Sequence, residues 1–138
     1  MDKPNQHHAS RRTIGYASSV LLLAVVLGAF GAHGLRDMVD AQAMANWKTG
    51  VEYQFYHGLA LLFLALVGDR IRGSSLVWAR RAFTVGILGF SGSLYLLAMR
   101  PVLGTEALTP LLGPITPLGG LMFIVGWAAL AVGALRKS

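Results

Sequence analysis

A chain of 138 residues that is 54% hydrophobic and only 13% charged, against roughly 25% charged in ordinary soluble domains, lacks the polar surface that a water-soluble globule needs. Having no cysteine, it has no disulfide framework, thiolate nucleophile, Cys-ligated zinc site or iron–sulfur cluster. Its net charge of +6 comes from Lys and Arg in short groups between apolar runs, the arrangement that orients a membrane protein. Nucleic-acid binding asks instead for basic residues gathered on one polar face with aromatics between them.

Residues 1–12 read as a polar cytoplasmic tail, with His7 and His8 as solvated side chains. Thr13 to Ala32 carries no formal charge, and at about 1.5 Å per residue its length matches the roughly 30 Å hydrocarbon core, so it is the first span. Ser10-Arg11-Arg12-Thr13-Ile14 also looks like a twin-arginine export signal. The apolar run exceeds the roughly 7–15 residues of a signal peptide and further spans follow, so it is read as retained. His33 to Gly50 mixes Leu35, Met38, Val39, Met44 and Trp47 with Arg36, Asp37, Asp40 and Lys48, which predicts a short amphipathic helix at the outer interface, with Trp47 and Tyr53 at headgroup depth.

The second span is Tyr53 to Gly68, with a polar outer end, and the third is Ala82 to Met99, between Arg81 and Arg100. Ala107 to Leu135 is uncharged but holds Pro110, Pro114 and Pro117. Thr116 followed by Pro117 reads as an N-cap with proline at the first helical position, which places the fourth span at Pro117 to Leu135. The expected fold is all-α: residues 13–138 form one domain, a polytopic membrane protein with its four transmembrane helices in a compact bundle.

Four spans put both termini on one side. That side holds Lys3, Arg11, Arg12, Arg70, Arg72, Arg80, Arg81, Arg136 and Lys137, and the other holds Arg36, Lys48 and Arg100. Nine against three places both termini in the cytoplasm, in a bacterial cytoplasmic membrane. Within lipid, helices associate through small residues and interhelical hydrogen bonds. Gly28 and Ala32, Gly89 and Ser93, and Gly126, Ala129 and Gly133 recur at such spacing. They mark faces that close the bundle or join a second copy or a membrane-protein partner.

His57 carries the most information, because a polar side chain inside a span needs a partner. At about 100° per residue Tyr53, Gln54 and His57 share a helix face, and Glu52 lies elsewhere. His33 ends the first span on the same outer side, and two histidines at one depth suit a proton relay, haem or a metal. The plainer reading is that each ties helices together. No dense ligand spacing supports a metal, and no cofactor is expected. Ser91, Ser93 and Tyr95 line a polar cavity or bond their own helix. No phosphate loop, nucleophile elbow or dinucleotide fingerprint is present, and Glu106 is the only acid after Asp69, so the chain reads as no enzyme.

Gly28-Ala29-Phe30-Gly31-Ala32-His33-Gly34-Leu35, Thr49-Gly50-Val51-Glu52-Tyr53-Gln54-Phe55-Tyr56-His57, Phe90-Ser91-Gly92-Ser93-Leu94-Tyr95 and Thr116-Pro117-Leu118-Gly119-Gly120, in that order, resemble the motifs of the small membrane-protein family known as domain of unknown function 423. The resemblance runs nearly end to end apart from the polar tail. It implies a four-helix integral membrane protein and supplies no catalytic residues, since the family has no established activity. On the topology above these motifs fall mainly in the outer half of the bundle, which suggests an outward-facing polar pocket of His33, Gln54, His57, Ser91, Ser93, Tyr95 and Thr116. The leading expectation is a non-enzymatic interaction or accessory protein. The alternatives are a small oligomeric carrier or channel built around His57, and a haem-binding electron carrier using His33 and His57.

Overall fold

The computed structural model describes residues 4–71 and 73–135, and of residues 4–10 and 69 the backbone alone. His7 and His8, and from the charge count Lys3, Arg72, Arg136 and Lys137, lie outside the described side chains. Helix α1 (Pro4–Phe30) runs into a π-helical turn, Gly31–Leu35. Helix α2 (Ala41–Val67) is followed by α3 (Gly73–Gly86), a second π-helical turn (Ile87–Ser91), α4 (Gly92–Leu103) and α5 (Thr109–Leu135). These form four rods long and apolar enough to cross a membrane, Arg11–Leu35, Ala41–Val67, Gly73–Leu103 and Glu106–Leu135. The protein is all-α and polytopic.

Each rod is longer than its uncharged run. Helix α1 begins at Pro4, so the polar tail is helical from there. Between the first two rods stands no separate interfacial helix: Ala41 to Gly50 are the opening turns of α2. Asp40 caps them, its Oδ1 accepting the Ala43 N–H at 2.7 Å. Of the apolar residues that suggested an interfacial element, Leu35, Met38 and Val39 precede α2, and Trp47 joins a stripe of α2 in which Ala43, Gly50, Gln54, His57, Leu61 and Leu64 are also buried.

Helix α5 starts at Thr109, not Pro117. Thr109-Pro110 carries the same cap-then-proline signature as Thr116-Pro117, one heptad earlier. Pro114 and Pro117 stay inside the helix, where packing against neighbouring helices compensates the lost N–H groups. At the preceding turn Gly104, at φ 66°, ends α4 in the left-handed conformation that glycine adopts freely. Arg100 ties the turn down, donating from Nε to the Leu97 carbonyl and from its guanidinium to the Thr109 hydroxyl.

Helix α1 packs along α2, and α3 along α5, with the α3–α4 rod also lying on α2. A Cβ at Gly28 would touch Val51, one at Gly31 would overlap Trp47, and one at Gly58 would overlap Leu21, which fixes an antiparallel register between α1 and α2. On the other seam Gly86 receives the Phe123 ring and Gly126 receives the Phe83 ring, while a Cβ at Gly89 would lie 3.2 Å from Gly119 Cα. Small residues thus let bulky rings and bare backbone interlock. Gly28, Gly89, Gly126 and Gly133 meet atoms of other helices, Ala129 packs on the main core cluster, and Ala32 is exposed. The outward apolar residues, including Leu22, Leu66, Leu88 and Leu121, face the lipid.

Candidate functional site

Gln54 is the hub of the polar interior. Its side chain is buried, Nε2 donates to the Val20 carbonyl of α1 at 2.9 Å, and Oε1 accepts the Tyr95 hydroxyl of α4 at 2.7 Å. One amide therefore joins α1, α2 and α4. The Tyr95 ring fills the space left by the missing Cβ of Gly50 and packs on Trp47 with centroids 4.7 Å apart. Trp47, expected at headgroup depth, is instead a core residue at 4% exposure, its indole N–H donating to the Leu27 carbonyl. The Ser93 and Thr116 hydroxyls, 2.7 Å apart, join α4 to α5.

His57 lies deeper than one turn inside the span. The α1–α2 register sets Gly58 against Leu21, near the middle of the uncharged Thr13–Ala32 run, and α2 extends outward to Ala41. His57 Nδ1 is 2.8 Å from the Tyr53 carbonyl, which can only accept, so Nδ1 carries the proton. Nε2 then accepts the Trp127 indole N–H at 3.2 Å. The imidazole lies flat on Phe123, centroids 3.5 Å apart and planes 7° from parallel, with Phe83 at 5.4 Å. A histidine inside the span thus has both ring nitrogens occupied.

His33 does not join this group. It is exposed at the end of the first rod, roughly a dozen residues from the level of His57, or about 18 Å at 1.5 Å per residue. The sequence reading set the two at similar depth because it began the second span at Tyr53; the longer α2 separates them. Of the seven candidate pocket residues, Gln54 and Tyr95 bond each other, as do Ser93 and Thr116, while His57 bonds Trp127. Ser91 is fully buried and its Oγ has no hydrogen-bond partner among the described residues. It closes the π-helical turn of the third rod, and its carbonyl faces Gly50.

The partners that sequence reasoning missed are Trp127, Phe83, Phe123 and the Val20 carbonyl. A mid-span tryptophan was a usable signal, because a buried indole N–H seeks an acceptor. Among the described residues no group of His, Asp and Glu gathers as a metal site, and the paired histidines a bis-imidazole haem would use are not assembled. Bonds between Gln54 and Tyr95 and between Ser93 and Thr116, together with the glycine seams, connect the segments Gly28–Leu35, Thr49–His57, Phe90–Tyr95 and Thr116–Gly120.

Such a bundle defines a small polytopic membrane protein whose distinctive segments are its helix contacts. Comparison gives the same class: the family described as a protein of unknown function, DUF423, matches residues 27–120, and the chain belongs to it. It is 42% identical over 116 residues to the UPF0382 membrane protein YwdK of Bacillus subtilis, covering 83% of this chain and 89% of that one. It is 41% identical over 113 residues to a UPF0382 membrane protein of Haemophilus influenzae (82% and 85%). To the UPF0382 inner membrane protein YgdD of Escherichia coli it is 39% identical over 127 residues, 92% of each chain. No solved structure matches.

Proposed function

We propose that the protein is a non-enzymatic interaction or accessory protein of the bacterial cytoplasmic membrane, with both termini in the cytoplasm. The observation that carries this reading is the use of the polar side chains. Gln54, Tyr95, Ser93, Thr116 and His57 each bond a group on another helix, so they hold the bundle's shape and do not converge on a reacting atom. The basic residue count supports the orientation, and the name of the E. coli relative, an inner membrane protein, supports the membrane. Native mass spectrometry of the full chain released from its own membranes tests the reading. A reproducible complex with another protein is expected. A small-molecule adduct, present in wild type and lost in His57→Ala, would overturn it.

One observation favours a second reading, a small oligomeric carrier. The Ser91 hydroxyl, which has no hydrogen-bond partner among the described residues, lies in a π-helical turn, a feature frequent at functional sites. Solute flux in proteoliposomes that falls in Ser91→Ala and His57→Ala would establish it.

A further inference from the structure

At the end of the bundle that bears the termini, α1 and α3 flank a cavity of ≈ 420 Å³. Arg12 and Tyr16 line it from α1, and Arg80, Arg81, Thr84 and Val85 from α3. All three arginines are exposed, and among the described residues none of their guanidiniums meets a carboxylate. The Thr84 hydroxyl already donates to the Arg80 carbonyl at 2.9 Å, so the free donors are guanidinium N–H groups. Like charges placed round one recess repel unless an anion sits between them, and the guanidinium fork matches two phosphate oxygens at once.

We propose that this open, mainly apolar groove takes an acyl chain of an anionic phospholipid, of the phosphatidylglycerol or cardiolipin class, from the leaflet facing the termini, while the exposed arginines at its edge hold the phosphate. The volume falls within the roughly 300–1,000 Å³ of small-ligand sites. Arg12 lines the groove from α1 and Arg81 lines it from α3. Tyr16 and Val85 supply an aromatic and an apolar surface toward the membrane centre, along which an acyl chain continues. Trp78, 60% exposed, stands one turn before Arg81 and two before Val85 on α3, at the depth where an indole anchors in the headgroup region. Basic recesses between transmembrane helices on the cytoplasmic side bind such headgroups. The proposal concerns a lipid and stands whichever protein partner the bundle has.

Native mass spectrometry of the full chain in mild detergent, titrated with phosphatidylglycerol, cardiolipin or phosphatidylcholine of matched acyl chains, reads the site directly. Wild-type protein should retain the anionic lipids over phosphatidylcholine, and Arg12→Gln, Arg80→Gln and Arg81→Gln should each weaken retention about fivefold. Arg36→Gln/Lys48→Gln, which removes charge from the far end of the bundle, should leave it unchanged. Equal retention of phosphatidylcholine by wild type overturns the proposal without any variant having to fold. So does an equal loss in the far-end variant, which would mean net charge alone. Displacement of bound lipid by an equimolar concentration of glycerol phosphate would identify a free-anion site and also overturn it.

Discussion

The indole N–H of Trp127 points at Nε2 of His57 across 3.2 Å, joining α2 to α5. Because Nδ1 is committed to the Tyr53 carbonyl, Nε2 has a lone pair to offer and Trp127 is its donor. Trp127→Phe keeps the ring packed near Phe83 but leaves Nε2 unpaired, and should lower stability by about 1 kcal/mol. Thermal unfolding in detergent measures this, and the same loss should not appear when His57→Phe is the background.

The Gln54 amide oxygen accepts the Tyr95 hydroxyl at 2.7 Å and so ties α2 to α4. A double-mutant cycle with Gln54→Leu and Tyr95→Phe should give a coupling of about 0.6–1.7 kcal/mol, the range of interhelical hydrogen bonds within membranes. Independent effects of the two substitutions would show that the bond contributes nothing.

Gly119 lies against bare backbone. A Cβ there would overlap the Phe90 nitrogen and come within 2.6 Å of the Gly89 carbonyl carbon, and neither can turn aside as a side chain would. Gly119→Ala should therefore cost about 1–3 kcal/mol, whereas Gly113→Ala, with nothing within 4 Å, should be neutral or slightly stabilising. Parallel melting curves compare them.

Ser91→Ala removes a buried hydroxyl that has no partner among the described residues. The bundle should be unchanged or more stable by up to about 1 kcal/mol. A clear loss of stability would mean that this hydroxyl has a partner in the membrane.

The absence of cysteine allows single-cysteine mapping of orientation. Asp37→Cys should react with an impermeant maleimide added outside intact cells. Ser74→Cys should react only after permeabilisation.

The four spans were legible because uncharged runs of membrane length are a composition signal that needs no knowledge of neighbours. Of the glycine seams, Gly28, Gly89, Gly126 and Gly133 were legible as positions, since small residues at three- or four-residue spacing announce contact, whereas Gly31, Gly58, Gly86 and Gly119 were not singled out as contacts. Which residue each glycine faces was not legible. That depends on register between helices far apart in the chain, and register also sets level: Gly58 against Leu21 carries His57 along the bundle away from His33. The start of α2 was signalled locally by Asp40, but the acidic and basic residues around it read as an interface. The start of α5 was signalled twice, at Thr109-Pro110 and Thr116-Pro117, and only packing distinguishes them. Of the candidate pocket, Gln54, Tyr95, Ser93 and Thr116 were found as residue types that need partners; Trp127 was overlooked because a lone aromatic in an apolar helix resembles any lipid-facing side chain.

The role of the polar interior as a set of helix ties is tested most directly by ¹⁵N NMR of the His57 imidazole in the full chain in bilayers. The structure predicts a neutral ring with Nδ1 protonated and Nε2 accepting a hydrogen bond, and an Nε2 resonance that moves to its unbonded position in Trp127→Phe. A ring protonated at Nε2, or one whose Nε2 resonance ignores Trp127 and responds to an added solute, would contradict it.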